Sequence, residues 1–260
     1  MNQRSSRRSS KIPHIDVEAE FDKCVSAAGG QRVSEIVGQS PNFNNADYIF
    51  SKSCVVAELK CLEENQGRSE NLKEKIHKLY NQYVNDGKTN LIIYGEVEVE
   101  ANQVSENFAR EVLELYRKPI QGVIKKANKQ LRQTKEQLKL DDYFGLLLLV
   151  NDGHEFLSPD QVKWVLSNTL SRGGYSSING VIFFTVNMTA RHPDYEDDLL
   201  IWATMDRPKS PKLADSFSDE LKSAWFAHFQ SLVGDVPVRE YDIDDASTIV
   251  GMENNTFEKS

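Results

Sequence analysis

The stretch NADYIFSKSCVVAELKCL, residues 45–62, holds two short runs rich in apolar side chains, separated by Ser-Lys-Ser. Residues 46–50 and 54–62 have the length and the β-branched or aromatic content that favour strands, and the short polar break predicts a hairpin. Successive side chains of a strand point to opposite faces of the sheet. Glu58 and Lys60 are two positions apart, so the sequence predicts both on the same face.

A strand–helix–strand unit is predicted further along the chain. Residues 145–150 and 181–186 are apolar throughout, which is typical of strands buried on both faces. Between them, Ser158, the Pro that follows it and Gln161 have the spacing of a helix N-cap with a capping box. A crossover helix of this length joins parallel strands. The predicted fold class is therefore α/β.

The rest of the sequence predicts further helices and strands around these two units. Apolar residues at helical spacing predict four further helices, over residues 16–28, 69–84, 105–140 and 218–233. Three other stretches predict strands, of which the first is weak: residues 32–37, 91–100 and 199–205. Pro119 lies within the third helix and is expected to kink it or split it in two.

Composition excludes several classes of protein. The chain has 260 residues, with 31 basic and 39 acidic side chains and a net charge of −8, which argues against coating nucleic acid through bulk charge. No apolar run approaches the roughly 20 residues of a membrane span, so no membrane partner is expected. Three cysteines without metal-binding spacing indicate reduced thiols and a cytoplasmic location.

One segment reverses the overall charge. Residues 117–139 carry eight basic side chains and a single acidic one. A seven-residue recurrence places several of them on one helix face, which is either an ordinary solvated face or a stripe that follows a phosphate backbone. The candidate nucleic-acid contacts are Lys118, Lys125, Lys129, Arg132 and Lys139.

Three charged residues form the candidate catalytic group. Ten residues separate Asp47 from Glu58, which allows a hairpin to bring Asp47, Glu58 and Lys60 together. Two carboxylates are suitable ligands for Mg²⁺ or Mn²⁺, and a neighbouring ammonium can orient water or stabilise charge on a phosphate. The alternative is a surface hairpin with a pattern of charges.

The pattern D-x(10)-E-x-K across a hairpin resembles the PD-(D/E)XK nuclease superfamily, with Ala46 in place of the usual Pro. The resemblance implies a restriction-endonuclease-like fold, a mixed sheet flanked by helices. It also implies Asp47 and Glu58 as metal ligands and Lys60 as the catalytic lysine. The family's leading helix sometimes adds an acidic ligand, for which Glu20 is slightly preferred to Glu18.

This resemblance implies a domain organisation. Residues 15–62 and 141–233 are expected to form the nuclease-like core, and residues 63–140 a mostly helical insertion that contains the basic helix. A flexible basic, Ser-rich tail is expected over 1–14 and an acidic tail over 234–260.

The expected function is Mg²⁺-dependent hydrolysis of phosphodiester bonds by a DNA nuclease, with an endonuclease preferred. DNA is favoured over RNA on family grounds alone, and a homodimer is expected if both strands are cut. A catalytically inactive, nuclease-like module that binds nucleic acid or protein is the alternative. A plain α/β interaction protein is the third interpretation.

Overall fold

The computed structural model describes residues 12–38, 41–63, 69–88, 105–155, 157–234, 240–241, 243, 246–254 and 256–257. Within them the chain forms a six-stranded mixed sheet with helices on both faces, which confirms the α/β class. None of the helices in these ranges is both long enough and apolar enough to cross a membrane.

The elements are defined as follows. The strands are β1 (Ile12–Pro13), β2 (Gln31–Arg32), β3 (Tyr48–Phe50), β4 (Val55–Glu63), β5 (Phe144–Asp152), β6 (Gly180–Thr185), β7 (Met188–Arg191), β8 (Trp202–Asp206), β9 (Val250–Asn254) and β10 (Thr256–Phe257). The helices are α1 (Val17–Ala27), α2 (Val33–Val37), α3 (Glu70–Asn85), α4 (Glu106–Leu138), α5 (Pro159–Ser171) and α6 (Asp215–Val233). Short 3₁₀ turns cover Ser51–Ser53 and Ala246–Thr248.

The sheet has the order β2-β3-β4-β5-β6-β8. β3 and β4 pair antiparallel, with Tyr48 opposite Ala57, so the predicted hairpin is confirmed. β4, β5 and β6 run parallel, as expected for strands joined by crossover helices. The capping box of α5 is also confirmed, because Ser158 and the side chain of Gln161 each satisfy the other's backbone N–H.

Alternation along β4 divides the interior into two cores. Val56 and Leu62 belong to the core beneath α4 and α5, whereas Val55 and Leu59 belong to the core beneath α1 and α6. The even-numbered side chains of this strand therefore face α4. Glu58 and Lys60 share that face.

Pro119 was expected to kink helix α4 or to split it in two. Helix α4 continues through Pro119 as one helix, so the split does not occur. Its C-terminal half packs on the sheet and its N-terminal half on α3, where the rings of Tyr83 and Phe108 lie 5.2 Å apart. Because α4 packs on α3 before the proline and on the sheet after it, both halves remain in one helix. Four of its residues are fully buried in the core: Ile120, Ile124, Ala127 and Leu131. That half of the expected insertion is thus part of the core.

Parts of the expected tails are paired strands. β9 pairs with β7, and β10 pairs with β1, so segments near both ends of the chain lie against the folded body. The buried side chains of Ile249 and Met252 anchor the C-terminal segment. Residues 33–37 form α2 rather than a strand. The strand expected over 91–100 lies outside the described residues.

Candidate active site

Glu58 and Lys60 lie side by side on the face of β4 that α4 covers. The Nζ atom of Lys60 donates a hydrogen bond to Oε1 of Glu58. Glu58 is 0% exposed, whereas the side chain of Lys60 is 23% exposed. The lysine therefore connects a fully buried carboxylate to the protein surface. The prediction that the two side chains share a face is confirmed.

Asp47 completes the group. It directly precedes β3, and the pairing of Tyr48 with Ala57 brings it opposite Glu58. Its Oδ2 atom accepts a hydrogen bond from the backbone N–H of Leu59, at 2.8 Å. The structure thus brings together all three residues that the hairpin pattern predicts.

The surroundings of the two carboxyls favour a bound proton or cation. Burial, followed by the negative charge of Asp47, raises the pKa of Glu58 to about 9, although the charge and the hydrogen bond of Lys60 oppose this change. Burial also raises the pKa of Asp47, against the hydrogen bond from Leu59 and the charge of Lys60. Two adjacent carboxyls in a dry site are costly to ionise without a compensating positive charge.

One oxygen of this pair has no hydrogen-bond donor. Oε2 of Glu58 is buried and accepts no hydrogen bond within the described residues, and the hydrogen bond that the carboxyls of Glu58 and Asp47 share requires a proton on one of them. When both carboxyls are ionised that hydrogen bond is lost, and a bound cation would replace it. Carboxylate oxygens suit Mg²⁺, which is commonly held by one or two carboxylates together with water and phosphate. The oxygens of Asp47 and Glu58 therefore fit such an ion.

Helix α4 holds the segment that leads into Asp47. The Oγ1 atom of buried Thr134 accepts a hydrogen bond from the backbone N–H of Ala46 at 2.7 Å. One turn earlier, the Gln130 amide donates to the backbone carbonyl of Asn45 at 3.1 Å. These contacts fix the start of β3. The sequence analysis did not predict them, because Gln130 and Thr134 are distinguished only as polar residues next to the buried apolar face of the helix.

Glu20 is not brought to this site. α1 packs on the opposite face of the sheet, and the Glu20 carboxylate contacts Lys23 Nζ and His228 Nε2, each at 2.8 Å. The less favoured Glu18 is an exposed residue of the same helix. No group of three or more His, Cys, Asp and Glu side chains in the described ranges is arranged to hold a metal. The site therefore offers two carboxylates.

The basic side chains predicted to contact nucleic acid face solvent, on α4 and at its C-cap. All five candidate nucleic-acid contacts are exposed: Lys118, Lys125, Lys129, Arg132 and Lys139. They lie away from the buried line Ile120, Ile124, Ala127 and Leu131, so this stripe is on the outer surface and does not line the carboxylate pair. Only Arg132 among them has an ion pair within the described residues, at 3.8 Å from Glu136.

No protein-family model, curated protein or solved structure matches this chain. The candidate site therefore rests on the positions and surroundings of Asp47, Glu58 and Lys60.

Proposed function

We propose that this protein is a divalent-metal-dependent nuclease of PD-(D/E)XK type that hydrolyses phosphodiester bonds in DNA. The observation that carries the proposal is the buried Glu58 carboxyl, which lies between Asp47 and Lys60 and has one oxygen without a donor among the described residues. The order of elements supports it. The chain has a leading helix, an antiparallel β2–β3–β4 meander, a crossover helix and a parallel β5, an order that agrees with the proposed restriction-endonuclease-like core.

Asp47 and Glu58 would hold Mg²⁺ or Mn²⁺, which when bound supplies a Lewis acid for the phosphate and lowers the pKa of water. Each protein group has its own task. The hydrogen bond from Leu59 fixes the Asp47 carboxylate, and Glu58 holds the ammonium of Lys60 at the surface of the site. From there Lys60 orients the attacking water and stabilises negative charge that develops on the phosphate.

DNA is the proposed substrate. The outer face of α4 offers exposed positive charge in a chain of net charge −8, which suits contact with a phosphate backbone. Cutting both strands with one site per chain requires two copies, so we propose a homodimer for that case. Sedimentation of the protein with duplex DNA tests the stoichiometry.

Cleavage of supercoiled plasmid, linear duplex and single-stranded DNA tests the proposal, with Mg²⁺, Mn²⁺ or EDTA. Lys60→Ala is expected to lower the cleavage rate by about 10²- to 10³-fold, the usual contribution of a group that stabilises charge developing in the transition state. The variant should keep the circular dichroism spectrum and metal binding of the wild type. Lys163→Ala, which removes an exposed lysine from α5, is the control and should cleave normally.

The outcomes separate the candidate functions. Metal-dependent cleavage that Lys60→Ala abolishes supports the nuclease. Metal binding without cleavage of any substrate favours an inactive nuclease-like module that binds nucleic acid or protein. If the protein neither binds metal nor cleaves DNA, the proposal is wrong.

A further inference from the structure

The outer side of β8 is an unpaired sheet edge. β8 is the last strand of the six-stranded sheet, and within the described residues no strand pairs with its outer side. The strand at the other end of the sheet, β2, is two residues long, whereas β8 has five residues. An edge strand offers its outward N–H and C=O groups to a further strand. Of the two terminal strands, β8 is therefore the one long enough to extend the sheet.

The pairing of β8 with β6 determines which residues face this edge. The N–H of Thr185 donates to the carbonyl of Ile201 at 3.1 Å, and the N–H of Arg207 donates to the carbonyl of Asn179 at 2.8 Å. Hydrogen-bonded pairs alternate with non-bonded pairs along an antiparallel ladder, so β6 bonds to the odd-numbered residues of β8. The N–H and C=O groups that point away from β6 belong to Trp202, Thr204 and Asp206.

These outward backbone groups are available for pairing. Within the described ranges none of them has a hydrogen-bond partner, and Thr204 and Asp206 are exposed. Proteins commonly protect an edge strand with lysine, proline or a bulge. The sequence of β8 contains neither lysine nor proline, and its register with β6 is continuous. The edge thus lacks the usual features that prevent another strand from adding to it.

We propose that a second copy of this chain pairs antiparallel with the edge of β8, with Thr204 opposite Thr204 across a two-fold axis. In this register Trp202 lies opposite Asp206 of the second copy, so all the outward residues are paired and each pair can exchange two hydrogen bonds. No like charges meet, because the one acidic residue of the strand lies opposite a tryptophan. The edge is therefore complementary to itself.

Trp202 gives this register a second argument. Its ring packs on Phe184 of β6 and Phe226 of α6, with ring centroids 5.0 and 6.0 Å apart. Its indole N–H is buried and has no acceptor within the described residues, although a buried tryptophan N–H usually has one. Successive even-numbered residues share a face of the sheet, so Asp206 of the second copy lies beside this ring and offers a carboxylate acceptor.

The inference names a surface for a homodimer but does not rest on the nuclease proposal. It uses no residue of the candidate active site. β5 and β6 separate β8 from β4, so pairing at the edge leaves the candidate sites of both copies uncovered.

Sedimentation equilibrium of the full chain, at concentrations up to about 100 μM, measures the association. At the highest concentration the wild type is expected to be mainly a species of twice the chain mass of 29.6 kDa. Thr204→Pro removes an outward N–H that β6 does not use, and it is expected to weaken association about tenfold or more. Thr204→Val keeps this N–H and a branched side chain, and it should associate like the wild type.

Two charged variants test the register. Thr204→Lys and Thr204→Glu each place like charges opposite one another across the two-fold axis, so each variant alone should be monomeric. An equimolar mixture of the two should restore the dimer, because lysine then faces glutamate. Circular dichroism spectra of all Thr204 variants should match the wild type, since this side chain is exposed.

A wild type that stays monomeric at the highest concentration would overturn the inference, as would a dimer that the Thr204 variants leave intact. Failure of the mixture to restore association would contradict the register. If Thr204→Pro does not fold, the two charged variants decide. Cleavage and metal binding test the nuclease proposal separately, so a dimer at the β8 edge without cleavage supports this inference, and cleavage by a monomer contradicts it while the nuclease proposal stands.

Discussion

Glu58 is a buried acidic residue whose ionisation lowers the stability of the fold and which we propose as a metal ligand. Its carboxyl lies within a β-sheet, where ionisation requires compensation by a neighbouring positive charge. Lys60 donates to Oε1, whereas Oε2 has no donor within the described residues. The hydrogen bond that Glu58 shares with Asp47 exists only while one of the two carboxyls holds a proton. In the proposed function, a metal cation takes the place of that proton.

The raised pKa of Glu58 predicts how stability changes with pH in the absence of metal. Between the ordinary glutamate pKa of about 4.3 and the raised value of about 9, the folded state holds a proton that the unfolded state has lost. The free energy of unfolding should therefore decrease as pH rises from 5 to 9, by at most about 1.4 kcal/mol per pH unit. Urea denaturation in EDTA measures this slope.

Glu58→Gln should flatten that pH dependence, since the amide does not titrate. Glu70→Gln, which changes an exposed carboxylate of α3, should leave the slope of the wild type unchanged. A wild-type protein whose stability is constant or increases over this range would contradict the assignment of a raised pKa.

Thr134 is a second residue with a testable role. Its hydroxyl accepts the backbone N–H of Ala46, one residue before Asp47, and the side chain is fully buried. Thr134→Val keeps the shape but leaves that N–H unpaired, so we expect a loss of about 1–3 kcal/mol in stability. Misplacement of Asp47 should lower the cleavage rate about tenfold or more.

Denaturation and cleavage assays on Thr134→Val check both effects. Thr204→Val, at an exposed position of β8, is the control and should change neither quantity. Normal stability and turnover in Thr134→Val would show that α4 does not position the start of β3.

At the scale of elements, β5 makes a close contact that requires glycine. A Cβ atom on Gly145 would lie 1.8 Å from the backbone carbonyl oxygen of Ser177, where neither group can move freely. Gly145→Ala should therefore destabilise the protein by about 2–3 kcal/mol or more. Gly122 of α4 has no neighbouring atom within 4 Å of such a Cβ. Gly122→Ala should instead stabilise the protein by about 0.5–1 kcal/mol.

Thermal or urea denaturation of the two glycine variants measures these opposite effects. If Gly145→Ala were as stable as the wild type, the approach of the Ser177 segment to β5 would differ from the one described. If Gly122→Ala were destabilising, that position would not be an open helix surface.

Helix α4 performs different tasks on its two sides. Its buried line fills the core above β4, while Gln130 and Thr134 hold the segment before Asp47. The opposite side carries exposed positive charge. Periodicity predicted the helix, but it could not predict that polar residues beside the apolar line contact β3, because those contacts join residues more than 80 positions apart.

At the scale of the whole molecule, net charge and local charge oppose each other. A chain of net charge −8 repels DNA at long range, so the DNA binding that we propose must depend on local positive surfaces. Replacing Lys125 and Lys129 together by Gln should lower DNA affinity and reduce the salt slope by about 1.8, the value for two phosphate contacts.

The matched control replaces Lys73 and Lys78 of α3, which are also exposed, by Gln. Anisotropy titrations compare the two double variants at several salt concentrations. Equal effects would mean that the stripe on α4 contributes only through net charge and makes no direct contact.

The shortest strands could not be predicted from the sequence. β2 and β10 are two residues long, and β7 and β9 pair segments about 60 residues apart. Strands this short have no periodic signal of their own, and pairing with distant partners creates them. The acidic composition of the C-terminal segment indicated a tail, although Ile249 and Met252 anchor it in the core.

The sequence alone determined the hairpin, the parallel unit with its capped helix, and the common face of Glu58 and Lys60. Each depends on periodicity or on side chains a few residues apart, which local geometry controls. Only the tertiary structure decided that α1 lies on the far face of the sheet with Glu20, and that Gln130 and Thr134 of α4 hold the start of β3. Those positions depend on how distant elements pack together, and side-chain spacing along the chain does not encode that packing.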